Sequence, residues 1–169
     1  GVDFDLSGID AEAVETTAVV SGATTLHASA YLGTFVETQV EADGSLTLSA
    51  IQADEQLIVG DGTVVVTDLA DTLGVDLSGL AASLTTSAQL DSTGDVQLGD
   101  TANLTHVDQI NVIGTGTVTA HASAVLGAGD YSVGVDATLS LTAAQANGLL
   151  ASGLGDVVIQ TNTFASITD

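Results

Sequence analysis

The 169-residue chain is 45% hydrophobic and carries 22 aspartates and glutamates against no lysine or arginine, a formal net charge of −22. Without a fixed cation, its carboxylates must be solvated, hydrogen-bonded to hydroxyls and backbone N–H groups, or bound to metal ions. Phosphate-directed nucleic-acid binding is excluded, anionic membrane surfaces repel the chain, and the absence of cysteine excludes disulfides, thiol nucleophiles and thiolate metal sites.

The length supports a hydrophobic core of ordinary size. No apolar run approaches the ~20 residues of a membrane span, so membrane insertion is not expected. No signal peptide is visible, and without an initiator methionine position 1 is expected to be a processed terminus or the start of an excised segment.

Short runs of alternating β-branched residues, punctuated by Gly, Asp or Asn, predict strands. In chain order the first are Val2–Leu6, Thr17–Ser21, Thr24–Ala30, Phe35–Val40 and Ser45–Ser49. A helix-like segment runs from Ser49 to Ile58, opened by a capping hydroxyl. Thr63–Thr67 is the next strand, and Leu69–Leu73 and Leu80–Leu84 each suggest one helical turn. Strands resume at Asp95–Leu98, Gln109–Ile113, Thr115–Ala122, Tyr131–Val135 and Thr138–Leu141. A second helix-like segment opens at Thr142 and ends at Gly153, and Val157–Thr161 is the last strand.

So many short strands predict a mainly β fold, a β-solenoid or β-sandwich-like repeat module with one or two short helices. The two tyrosines and three phenylalanines are the only aromatics, so the core must be packed from Val, Leu, Ile and Ala. Small, regularly layered side chains of this kind suit a narrow stacked core. The chain has no proline, so its turns rest on Gly and Asp.

The chain repeats itself. His27-Ala28-Ser29-Ala30-Tyr31-Leu32-Gly33 returns as His121-Ala122-Ser123-Ala124-Val125-Leu126-Gly127, 94 positions later. Leu46-Thr47-Leu48-Ser49-Ala50-Ile51-Gln52-Ala53 returns as Leu139-Ser140-Leu141-Thr142-Ala143-Ala144-Gln145-Ala146, at an offset of 93. Asp61–Val66 then falls opposite Leu154–Ile159. A fourth match joins Gly74-Val75-Asp76-Leu77-Ser78-Gly79-Leu80 to the opening Gly1-Val2-Asp3-Phe4-Asp5-Leu6-Ser7-Gly8-Ile9. In the second repeat the chain ends where this motif is due. The expected organisation is therefore repeat 1 over residues 1–93 and a shorter repeat 2 over 94–169, completed by the N-terminus of a neighbouring copy stacked head to tail.

Leu139–Ala146, the subsequent Gly-Leu-Gly and Asp156-Val157-Val158-Ile159 resemble tandem-repeat regions of large secreted bacterial adhesins and hemolysin-like surface proteins. The resemblance covers both repeats and is partly compositional. It implies secretion, an extracellular or cell-surface location and, in many members, calcium-dependent folding. The calcium nonapeptide Gly-Gly-x-Gly-x-Asp is missing, which puts a calcium β-roll in doubt.

Three histidines, His27, His106 and His121, are the available bases for a nucleophilic serine. Two of them occupy equivalent repeat positions, as a structural role produces. No nucleophile elbow, phosphate loop or zinc spacing is present, and the chain is not expected to be an enzyme. Paired carboxylates occur at Asp3 and Asp5, Glu41 and Asp43, and Asp54 and Glu55. On a strand, Asp3 and Asp5 share a face. Calcium takes hard oxygen ligands, and its candidate ligands here are Asp3, Asp5, Asp43, Asp61, Asp130, Asp136 and Asp156. The alternative is solvated turn carboxylates with loose counterions.

The expected role is a structural module of an extracellular bacterial filament, surface layer or giant adhesin, with other copies of itself as partners. The competing expectation is an adhesin binding module that recognises a glycan, ice or a mineral surface. The threonine row Thr115-Gly116-Thr117-Val118-Thr119 bears on the ice alternative.

Overall fold

The computed structural model describes residues 17–30, 32, 35–69 and 74–160. The predicted strand Val2–Leu6 and most of the predicted turn Leu69–Leu73 lie outside them, as do Asp3 and Asp5. The elements are β1 (Thr17–Val20), β2 (Ala23–Thr25), β3 (Glu37–Val40), β4 (Ser45–Ser49), α1 (Ala50–Ala53), β5 (Ile58–Gly60) and β6 (Thr63–Thr67). They continue with β7 (Thr85–Ser92), β8 (Val96–Leu98), β9 (Gln109–Gly114), β10 (Thr117–Ala120), β11 (Asp130–Val133), β12 (Thr138–Thr142), α2 (Ala143–Ala146), β13 (Leu150–Gly153) and β14 (Asp156–Gln160).

The strand pairings among these elements are parallel, and partners lie about one coil apart in sequence: Thr17 faces Glu37, Ser45 faces Thr63, and Ser87 faces Gln109. A sandwich of hairpins would pair antiparallel neighbours close in sequence. The fold is instead a β-solenoid of about six turns with two short helices. Three parallel sheets run along it: a first sheet β1-β3-β5, a long sheet β2-β4-β6-β7-β9-β11-β13, and a third sheet β8-β10-β12-β14.

The chain visits the three sides in a fixed order. In the middle coil, Leu80 bridges to Ile58 of the first sheet, β7 joins the long sheet, and β8 opens the third. Before this coil the paired strands of each turn lie in the first and long sheets; after it they lie in the long and third sheets. By the 93-residue offset, β5 and β6 correspond to β13 and β14. The second repeat is thus the first one moved up the stack and rotated by one side. The shift comes between β6 and β7, consecutive strands in the chain that are neighbours in the long sheet.

Period-two alternation builds the core. In β4 Leu46 and Leu48 are buried while Ser45, Thr47 and Ser49 are half-buried; Val64 and Val66 of β6 and Ile110 and Val112 of β9 repeat the pattern. Parallel in-register pairing stacks these residues in rows, such as Val66, Ala88, Ile110 and Tyr131 up the long sheet. Tyr131 is fully buried, and its hydroxyl donates to the Leu126 carbonyl oxygen at 2.5 Å. Thr86 takes the inward place next to Val64; its hydroxyl donates to the His106 carbonyl oxygen at 2.7 Å and accepts from the Asp108 N–H at 2.8 Å, so the buried polar atom is satisfied.

Both helix-like segments shrink to four residues. After α1, Asp54 leaves the helical conformation with ψ 125°, Glu55 adopts φ 56°, and the chain enters β5. After α2, Asn147 is extended, Gly148 takes φ +85°, and Leu150–Gly153, predicted as the end of a helix, is β13. Each coil leaves only one side for a helix, and the unpaired edge of the neighbouring strand captures the residues beyond it. Leu80–Leu84 is likewise a turn, closed by the Leu84 N–H donating to the Ala81 carbonyl oxygen at 3.1 Å, because Leu80 is held by β5. The predicted strand Thr24–Ala30 stops at Thr25 and becomes a turn. The strand β7 has no hydrophobic run of its own; Thr-Thr-Ser-Ala-Gln-Leu-Asp-Ser is extended because β6 and β9 pair with it on both sides.

Candidate functional site: the open edge at β13 and β14

The two His-Ala-Ser-Ala stretches fold identically. In each, the fourth residue's N–H donates to the histidine carbonyl oxygen, at 2.8 Å for Ala30 to His27 and 2.9 Å for Ala124 to His121. The histidine Nδ1 accepts from the serine N–H two residues on, at 3.3 and 3.2 Å. A glutamine in the next coil clamps the turn: Gln52 Nε2 donates to the carbonyl oxygens of His27 and Ala30 at 2.8 and 2.7 Å, and Gln145 Nε2 to those of His121 and Ala124 at 2.7 and 3.2 Å. Each Oε1 accepts from the helix's own N-cap, Ser49 N–H at 2.9 Å and Thr142 N–H at 3.0 Å. His27 Nδ1 also lies 2.8 Å from Ser29 Oγ. That contact spans two residues of one exposed turn and is part of the clamp, which joins successive coils.

A second recurrent device lines the return side of the coil. Asp76-Leu77-Ser78-Gly79-Leu80 and Asn103-Leu104-Thr105-His106-Val107 lie 27 positions apart and stack, with Asp76 bridged to Asn103 and Asn103 to Val125. In both, the first side chain's Oδ1 accepts from the N–H two residues on, at 2.9 and 3.2 Å. Leu77, Leu80, Leu104 and Val107 are all buried. The Asp76 copy sits directly on the end of α1. Asp76 N–H donates to Asp54 Oδ1 at 2.7 Å, Glu55 N–H to the Asp76 carbonyl oxygen at 2.9 Å, and Ile58 N–H to the Gly79 carbonyl oxygen at 3.0 Å.

The proposed calcium ligands are spread along the stack. Asp43 and Asp61 occupy the same corner in successive coils, since the β4–β6 register also spans 18 residues. Asp136 lies in the turn between β11 and β12, Asp156 begins β14 and Asp130 begins β11. All five are exposed. Among the described residues no group of three His, Asp or Glu side chains sits together. In the threonine row, Thr117 faces Thr138 and Thr119 faces Ser140, but the next coil presents Asp156 and Val158, so the rank is two residues deep.

The feature that separates one part of the molecule from the rest is the last coil among the described residues. Val157 and Ile159 of β14 continue the inward rows of Leu139 and Leu141, yet they are 40% and 42% exposed. Their repeat equivalents Val64 and Val66 are 0% and 1% exposed, because β7 stacks on them. Leu150 and Leu154 are also exposed. The backbone there is built like the inner junction: Gly60 and Gly153 are equivalent, with φ +120° and +112°, and a Cβ on either would strike the carbonyl oxygen of Val40 or Val133. These edge residues are not titratable, so a search for chemistry does not find them. The signal was their pairing with Val64 and Val66 at offset 93.

Comparison with protein-family models, curated proteins and solved structures finds no match. Among the described residues, no helix is long and apolar enough to cross a membrane.

Proposed function

We propose that the chain is a structural module of an extracellular bacterial filament, surface layer or giant adhesin, in which units stack end on end. The observation that carries this reading is the contrast between Val157 and Ile159, 40% and 42% exposed, and the same repeat positions Val64 and Val66, at 0% and 1%. An apolar row that ends in solvent, beside parallel strand edges, is a template for strand addition. A chain with 22 carboxylates and no lysine or arginine keeps such a stack hydrated and discourages side-to-side association. Calcium belongs to this reading as a counterion that relieves repulsion between units.

The test is negative-stain electron microscopy of the purified protein across a concentration series, with millimolar calcium and with a chelator. Unbranched filaments are the expected result, longer with calcium. Dispersed single particles at every concentration would overturn the reading.

A further inference from the structure

Resting on that stacking reading, we infer that the open edge receives the Asp5-Leu6-Ser7-Gly8-Ile9 segment of a second copy of this chain. The molecule already contains the junction. At the end of its first repeat, Asp76-Leu77-Ser78-Gly79-Leu80 sits on Asp54, Glu55 and Ile58, with Leu80 bridged to Ile58. Asp5–Ile9 is the same five-residue motif, identical at four positions and Ile for Leu at the fifth.

The receiving surface recurs as well. At offset 93, Asp54, Glu55 and Ile58 become Asn147, Gly148 and Ala151. Asn147 keeps a side-chain oxygen able to accept the N–H that Asp54 accepts from Asp76. Gly148 keeps the positive φ of Glu55, +85° against 56°, the conformation that turns the Glu55 N–H toward the Asp76 carbonyl. Ala151 lies in β13 with one neighbour, β11, whereas Ile58 has β3 on one side and Leu80 on the other. Motif and seat thus each occur twice in the sequence, but the described structure joins them once.

The internal junction also sets the geometry of the external one. There Leu80 of the motif bridges to Ile58 of β5, and β7, the strand that follows the motif, pairs with β6. A docked copy therefore adds strands to both β13 and β14, and it enters rotated by one side, as the second repeat is rotated on the first.

Cysteine cross-linking tests the pairing in a chain that has no cysteine of its own. Adjacent strands lie about 4.8 Å apart, within disulfide reach. Ile9→Cys and Ala151→Cys proteins, mixed and oxidised, are expected to give a covalent dimer of twice the 16.7 kDa chain mass on a denaturing, non-reducing gel, with each variant alone giving no cross-link. A synthetic Gly1–Asp10 peptide in excess is expected to suppress assembly of the unmodified chain, a readout that does not depend on either variant folding. No mixed dimer and no peptide effect, with wild-type filaments present, would overturn this pairing and leave the stacking reading standing. A mixed dimer without filaments would keep the pairing and reject the filament. An intramolecular cross-link in the double variant would show that the chain covers its own edge and would overturn the inference.

Discussion

The junction between β5–β6 and the coil above it and the edge at β13 and β14 are built from equivalent repeat positions, yet they differ in what lies above them among the described residues. At the inner junction Val64 and Val66 are sealed by β7 and the Asp76 motif sits on Asp54; at the outer edge Val157 and Ile159 keep two-fifths of their surface in water. In a solenoid each coil stabilises only its neighbours, so burial at a given position depends on the coil stacked on it as much as on the residue. The comparison teaches that an inward-facing valine or isoleucine is core in one coil and interface in another.

The largest effect should come from placing a charge at the matched positions. Val66→Asp puts a carboxylate in a row with no cation to pair it, a cost of about 3–5 kcal/mol or more, which consumes much of an ordinary domain's stability. Thermal unfolding is expected to show a collapsed or absent transition. Ile159→Asp is expected to cost about 1 kcal/mol in the same scan while abolishing filaments. Equal losses of folding in the two variants would mean that the outer edge is covered as the inner one is.

The glutamine clamps sharpen the comparison at intermediate size. Gln52 is 7% exposed and Gln145 is half-exposed, although their bonds are alike. Gln52 is itself buried and is the donor to the part-buried His27 and Ala30 carbonyls, so Gln52→Ala is expected to cost about 2 kcal/mol in urea unfolding. Gln145→Ala, where water can replace the amide, should cost about 1 kcal/mol.

The smallest effect concerns Tyr131, one coil below the open edge. Burial pushes its phenol pKa well above the ordinary value. The unfolded chain therefore loses this proton first, and the residue's contribution, complete below pH ~10, declines as pH rises further. Tyr131→Phe removes the bond to the Leu126 carbonyl oxygen and is expected to cost about 1–2 kcal/mol at pH 8. Urea midpoints at pH 8 and pH 11 should then differ less in the variant than in the wild type.

Much of this architecture can be read along the chain. The strands Ser45–Ser49 and Thr63–Thr67 are predicted with the observed bounds, since their alternation of small polar and β-branched residues admits few other structures. The duplicated His-Ala-Ser-Ala stretch and the Gln52 and Gln145 positions mark one structural device used twice. The choice between solenoid and sandwich was not legible, because strand alternation is the same in both and only pairing direction separates them. Nor was β7: Thr85–Ser92 has the composition of a loop and is a strand because two neighbours hold it.

Sequence alone determined the anionic surface without a counter-charge, the aliphatic core and the two-fold repeat, since each is set by which residues are present and in what order. Tertiary structure decided the three sides, the rotation of one repeat on the other and the identity of the exposed row. Those depend on which strand lies over which, and parallel pairing at about one coil's separation brings together residues that no local pattern connects.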